Sequence, residues 1–328
     1  MHSKNMLKII MLIAGILIVI GIMSIFDMDS IIASLLRSNP LYIIAAFLCQ
    51  ILSLTLLATK IRMIANSQTK KKLTFYESFR AHLSGVIIDF MTPFIQFGGE
   101  PLKIYFIKKK LGLSKASAVV AVDDLSEILT FFVMLLISLT LLLLTFPLPV
   151  PLIILLISGV SIVAFFIILF FEICSNKKLL GGIVNWVFSV LKKFGISIKG
   201  YNHYLSYFEK SFHRLLKDNY LLLKIFILSF FAKFLDFIRM FFVFFALGTI
   251  VPINIIIFVW AIILLLSMLP GLPGNLGIIE AGGATAYLMF GLSPSLSASG
   301  IILDRFIAFW FVFILGLIIV SFKRNKMP

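Results

Sequence analysis

Runs of apolar residues long enough to cross a bilayer recur along this chain and leave its fold few options. The first, LKIIMLIAGILIVIGIMSIF, covers residues 7–26, and a hydrocarbon core takes roughly 20 residues of helix. Backbone amides find no water there, so such runs become helices packed on one another. Composition agrees: 61% of the 328 residues are hydrophobic and 13% charged, against about 25% charged in an ordinary soluble domain. Cys49 and Cys174 supply neither a disulfide framework nor a metal-ligand spacing. The four histidines form no ligand pair beside a carboxylate motif, which argues against a zinc hydrolase, and neither cofactor nor metal is expected. The formal charge of +15 reads as basic cytoplasmic loops, so no nucleic-acid partner is expected.

The first run is too long for a signal-peptide core and no small-residue cleavage site follows it, so it reads as a retained helix. Residues 41–59 form a second span that stops at Lys60 and Arg62. Residues 116–146, 152–173, 219–248 and 301–322 read as four more, the third span carrying Asp123, Asp124 and Glu127. The segment 174–218 is rich in lysine and has an amphipathic stretch at 179–194, which suits the cytoplasmic membrane surface.

Two segments do not fit a simple span. TPFIQFGGEPLK (92–103) and GLPGNLGIIEAGG (271–283) each combine helix breakers with one carboxylate, Glu100 or Glu280. Each reads as the tip of a re-entrant hairpin, since irregular backbone at membrane depth survives only where protein or a wet cavity covers it. The two tips superpose at an offset of 180 residues: Pro93 with Pro273, Glu100 with Glu280, Asp124 with Asp304. The expected fold is therefore all-α integral membrane, with six transmembrane helices plus two re-entrant helical hairpins in an inverted repeat. Repeat A covers about 41–146 and repeat B about 219–322 of a single polytopic domain. Lys and Arg concentrate at 60–72, 108–115, 174–218 and 323–326, which puts both termini in the cytoplasm of a cell-membrane protein.

Charges inside spans are costly and mark function. Asp236 and Arg239 lie three apart and can pair on one helix face. Asp304 and Arg305 diverge and need partners on other elements. Glu77 and Arg80 read as a solvated pair near the cytoplasmic interface. Lys224 and Lys233 read as snorkelling side chains. The acids at 123–127 can bind a cation or pair with Lys103 and Arg239. The free amides of the two tips, the second capped by Asn275, suit an anionic group such as phosphate.

At these residues, TPF…GGEPLKIYFIKKKLGLS, DFIR, PGNLGIIEA and DRFIAFW, the chain resembles the flippase-like transmembrane domain of the lysylphosphatidylglycerol synthase/flippase family, over about residues 5–325. The resemblance implies a stand-alone domain that moves a phospholipid or lipid-linked headgroup between leaflets, using Glu100, Lys103, Asp123, Glu127, Asp236, Arg239, Glu280 and Arg305. To these the reading of the residues adds Asp124 and Asp304. Asp124 stands where the family often has arginine, and Lys103 also often has arginine in its place. No stretch corresponds to the soluble aminoacyl-transfer domain of larger members, so lipid lysylation by that route is not expected. Membrane lipids are the expected partners, and a homo-oligomer is left open. The alternatives are an integral membrane transferase acting on lipid-linked substrates and a non-transporting assembly partner.

Overall fold

The computed structural model describes residues 28–92, 98–145, 201–267 and 273–321, with individual positions between 150 and 172. The expected first span, most of the fourth and the amphipathic stretch at 179–194 lie outside the described residues. Among the described residues there are helices and no strand.

A short helix, α1 (Met28–Leu36), lies between the first two expected spans. The chain then enters α2 (Pro40–Gln68), whose start is fixed by Asn39 accepting from the Leu41 amide at 2.9 Å. That helix does not stop at Lys60. Lys60 is fully buried, and its ammonium is met by carboxylates of another helix, so the charge does not need the interface and the helix runs two turns further. Next come α3 (Phe75–Met91) and α4 (Glu100–Leu111), the two arms of the first broken segment. Thr74 and Glu77 form a reciprocal capping box at the start of α3. Glu77 pairs with Lys110 at 2.7 Å, and Arg80 donates to the Val320 carbonyl. The expected solvated Glu77–Arg80 pair is thus replaced by two longer-range contacts. Gly112, at φ +76°, ends α4 after three lysines that complement the helix dipole.

The long helices α5 (Leu113–Thr145) and α7 (Asn219–Ala246) contain 33 and 28 residues, about 50 and 42 Å at ~1.5 Å per residue. Between them α6 (Tyr201–Leu216) lays Phe212 and Leu215 onto the first half of α5. The second broken segment comprises α8 (Ile253–Ser267), a 3-10 turn at Pro273–Asn275 and α9 (Ile278–Met289). The last element is continuous from Pro294 to Ser321: α10 (Pro294–Arg305), a π segment (Phe306–Phe311) and α11 (Val312–Ser321). The π segment turns Phe309 onto the 3-10 turn, where a Cβ on Gly274 would stand 2.2 Å from the ring. Gly274 also has φ +65°, so glycine is required there twice over.

Helices α2 and α7 pack on each other along their length, running in opposite directions: the Asn39 amide at the head of α2 bonds the Ala246 carbonyl at the foot of α7. The other contacts follow a pattern. The first arm α3 packs on α11, and α8, which lies 180 residues on, packs on α5. Two apolar layers result. One gathers Ile64, Ile107, Val119, Val122, Phe212 and Ile225; the other gathers Met134, Met240, Phe244, Val259 and Tyr287. Between them, on α5 and α7, lie Asp123–Glu127 and Lys233–Arg239. The outward faces are also apolar, with Leu48, Leu52, Phe231 and Ile314 each more than half exposed. A surface of that kind is unusual in water and ordinary in lipid.

Candidate functional site

The layer between the two apolar layers holds a cavity of about 400 Å³. Helix α2 contributes Gln50 and Ser53, α3 contributes His82 and Asp89, and α4 contributes Glu100 and Lys103. Across it stand Asp124, Glu127 and Phe131 from α5, and Lys233, Asp236 and Arg239 from α7. Of the site residues expected from sequence, Glu100, Lys103, Asp124, Glu127, Asp236 and Arg239 thus share one chamber. Asp123 and Asp304 stand directly behind it, and Glu280 and Arg305 form a separate pair.

The chamber is organised by two cationic anchors. The first is on the α5 side. Lys60 hydrogen-bonds Glu127 at 2.9 Å and the Asp123 carbonyl at 3.3 Å, and its ammonium also sits 2.9 Å from Asp123 Oδ1. That last contact is electrostatic, because its direction does not make a hydrogen bond. Lys103 crosses from the opposite arm to Asp124 at 3.1 Å and Asp123 at 3.3 Å. Its stem passes over Gly85, where a Cβ would lie 2.7 Å from Lys103 Cε. Glycine at 85 is the slot that lets this lysine reach α5.

The second anchor is Arg239. It donates to both oxygens of Asp304, at 2.8 and 3.4 Å, to Asp236 at 3.0 Å and to the Gln50 carbonyl oxygen. Burying charges is costly unless each is paired and hydrogen-bonded, and Arg239 meets that condition. Neither Arg239 nor the two buried lysines is left free for a ligand. Lys233 is the loosest cation, 4.0 Å from Asp236.

The tips of the hairpins are closed by carboxylates. Asp89 Oδ1 accepts from the amides of Gly98 and Gly99 at 3.0 and 2.8 Å. At the second tip Glu280 accepts from the Gly277 amide at 2.6 Å and from Arg305 at 2.7 Å, while Arg305 also donates to the Gly274 carbonyl. Asn275 does not cap α9; its side chain bonds the Ser267 carbonyl and closes the turn instead. Amides read from the sequence as an anion site are therefore already occupied by protein acids.

Sequence reasoning passed over four groups that line or brace the chamber. Lys60 reads as an interface stop, Lys233 as a snorkelling side chain and His82 as one of four histidines without a ligand pair, while Asp89 is given no role. The partner of Lys60, Glu127, lies 67 residues along the chain. The one local signal was the Asp89 to Gly98–Gly99 spacing, an acid facing a glycine pair across a turn.

The balance of the site is acidic. Asp89, Glu100, Asp124, Glu127 and Asp236 line it, against Lys103, Lys233 and Arg239. Glu100 has no cationic partner within salt-bridge distance among the described residues, its carboxylate bonding its own backbone amide. Asp89 and Asp124 each use one oxygen, leaving acceptors turned to the chamber.

Comparison with known proteins supplies the family. The family model described as the lysylphosphatidylglycerol synthase TM region matches residues 12–316. A UPF0104 membrane protein of Methanothermobacter thermautotrophicus is 27% identical, covering 95% of this chain and 96% of that protein. UPF0104 membrane proteins of Pyrococcus horikoshii and Methanocaldococcus jannaschii are 25% and 26% identical, covering 98% and 100% of this chain and 99% and 98% of their own lengths.

Proposed function

From the premise that the chain belongs to the lysylphosphatidylglycerol synthase TM-region family of membrane proteins, we propose that it moves a lipid headgroup between leaflets through its charged chamber. One observation carries this reading. A chamber of about 400 Å³, lined by ionisable groups of α3, α4, α5 and α7, lies between two apolar layers. A volume of that order suits a polar headgroup, and the exposed apolar outer faces, with Leu48, Leu52, Phe231 and Ile314, suit acyl chains. Charges buried at such depth persist only when paired with one another or with a substrate.

The free valence favours a headgroup bearing an ammonium. Arg239, Lys60 and Lys103 are spent on protein carboxylates, whereas Glu100 and single oxygens of Asp89 and Asp124 remain open. A phosphate on the same headgroup would meet Lys233, the least committed cation. Glu280 and Arg305, also expected at the site, act in this reading as the brace of the second hairpin. The inverted repeat supplies the two gates, one hairpin facing each side. The reciprocal packing of α3 on α11 and of α8 on α5 supports that arrangement.

The test uses purified protein in liposomes with phosphatidylethanolamine labelled on its acyl chain. Exchange between leaflets without chemical change is expected, and faster than for phosphatidylglycerol carrying the same label. No exchange above protein-free liposomes, or a new lipid species, defeats the proposal.

A further inference from the structure

Charge also gathers outside the chamber, at the end of the molecule where α2 stops, α3 begins and α4 stops. Hydrogen bonds tie these segments into one surface. Lys110, in the last turn of α4, donates to the Lys72 carbonyl at 2.9 Å and pairs with Glu77. Lys115, in the first turn of α5, donates to the Gln68 carbonyl at 3.3 Å. Helix α6 lies across the same end. Its Tyr204 donates to Ser117 of α5 at 2.9 Å. Its other end leads through Asp218 into α7, which runs antiparallel to α2 from the bond between Asn39 and Ala246. Counting equally along the two helices from that bond sets Lys217 level with Gln68.

Helix α6 spends its apolar face on the protein, where Phe208, Phe212 and Leu215 join the layer on α5. Its outer face carries Tyr207, Lys210, Arg214 and Lys217, spaced three to four residues apart and all exposed, so they form one stripe. Lys70 and Lys71 after α2, and Lys108 and Lys109 at the end of α4, are exposed on the same end. None of these cations is paired with an acid among the described residues. The nearby acids are engaged: Glu77 with Lys110, and Asp218 in capping α7 through the Leu221 amide. The opposite end has no such surface, since Arg37 is the one basic residue in the segments 28–40, 246–256 and 289–298. Exposed rings stand among the bases and fix their depth. Phe75 and Tyr76 open α3, and Tyr105 of α4 is half exposed with the Lys108 ammonium 4.7 Å over its ring. Tyr220, at the start of α7, carries Lys224 over its ring at 3.8 Å. Aromatic side chains exposed beside bases belong at headgroup level, and the anions present at that level are lipid phosphates.

We propose that this surface binds anionic phospholipids, holding net-negative headgroups against α6 and the end of α4. A zwitterionic headgroup brings an ammonium with its phosphate and largely cancels the attraction, whereas a net-negative one does not. Each base close to an anionic membrane surface adds to the binding, and the effect fades within a Debye length. The site is separate from the chamber and does not depend on translocation.

The test places the full chain in phosphatidylcholine liposomes with a trace of lipid spin-labelled on its acyl chain, phosphatidylglycerol in one set and phosphatidylcholine in the other. The fraction of label restricted by the protein reports association. Phosphatidylglycerol is expected to associate severalfold more strongly at low salt. The difference is expected to vanish at ~1 M salt, where the Debye length is about 3 Å; this arm needs no variant to fold. Glutamine at 210, 214 and 217, or at 70, 71, 108 and 109, is expected to remove part of the preference, and both sets together nearly all of it, with melting temperature unchanged because the side chains are exposed and unpaired. Arg37→Gln is expected to leave the preference intact. Equal restriction of the two labels, a preference that ignores salt, or one that survives in the combined variant would each overturn the proposal. Binding of poly-glutamate to the chain, with the two labels restricted equally, would give the surface to a soluble acidic partner and overturn the lipid assignment. Failure of leaflet exchange with the preference intact would defeat the proposed function and leave this surface standing.

Discussion

At the scale of single residues the two glutamates of the broken segments differ more in the structure than in the sequence. Glu100 faces the chamber without a cation of its own, whereas Glu280 is bonded to Arg305 at 2.7 Å and to the Gly277 amide at 2.6 Å. Glu100→Gln is therefore expected to leave the melting temperature in detergent unchanged and to abolish leaflet exchange. Glu280→Gln is expected to lower the melting temperature, with exchange per folded molecule retained. The opposite assignment of the two phenotypes would show that the chamber is not the site. Lys60 makes a second case. Removing one partner of a buried ion pair costs about 3–5 kcal/mol, so Lys60→Met, which strands Asp123 and Glu127, should reduce folded protein sharply. Glutamine at both 123 and 127 in the Lys60→Met background should restore part of the loss, and melting curves of the set measure it. That the acids of 123–127 need cations was legible from their position in an apolar run. Of the two partners the sequence names, Lys103 does pair with them, while Arg239 goes to Asp236 and Asp304; Lys60 was not legible, because it reaches Glu127 from 67 residues away.

At the scale of elements, the first hairpin depends on two contacts that backbone geometry imposes. Asp89 satisfies the amides of Gly98 and Gly99, and the second of these glycines sits so close that an added Cβ would lie 2.4 Å from the Gly85 carbonyl oxygen. A backbone oxygen cannot turn aside, so Gly99→Ala must part the two arms. At Gly98 the clash is with the Thr92 side chain, which can rotate. Gly99→Ala is expected to destabilise more than Gly98→Ala, by a margin readable as a difference in melting temperature. Asparagine at 89 keeps the accepting oxygen, so Asp89→Asn should stay near wild type, while Asp89→Ala leaves two amides unmet at about 1–3 kcal/mol each. Equal melting temperatures for the two would mean that the carboxylate does not hold the tip. The breakers and the acids of both segments were visible in the sequence, as was Pro101 in the first turn of the second arm. The tip closure was not, since the same spacing of Gly, Pro and acid permits either an open anion site or a self-satisfied turn. The length of the second span, 41–59 against Pro40–Gln68, was underestimated for a related reason. A lysine at the end of an apolar run marks an interface only when nothing inside the protein neutralises it.

At the scale of the molecule, the proposed translocation requires that the two broken segments enter the membrane from opposite sides. The sequence argues it from an offset of 180 residues and from the distribution of Lys and Arg. The packing adds that α2 and α7, at the same offset, run antiparallel along each other, as elements related by an axis in the membrane plane must. If so, the mouth of the first hairpin, near Lys71, lies in the cytoplasm, and the mouth of the second, near Ile250, lies outside. Both side chains are exposed, Ile250 at 82%, so a cysteine at either is reachable. The background is a chain with Cys49 and Cys174 replaced by serine and alanine. In sealed cells, Ile250→Cys should be blocked by an impermeant maleimide, and Lys71→Cys only after the membrane is opened. The physical stake is large: a single chamber served by gates on one side would give a binding site but no path between leaflets, so labelling of both positions from the same face would end the translocation reading, whatever the chamber binds.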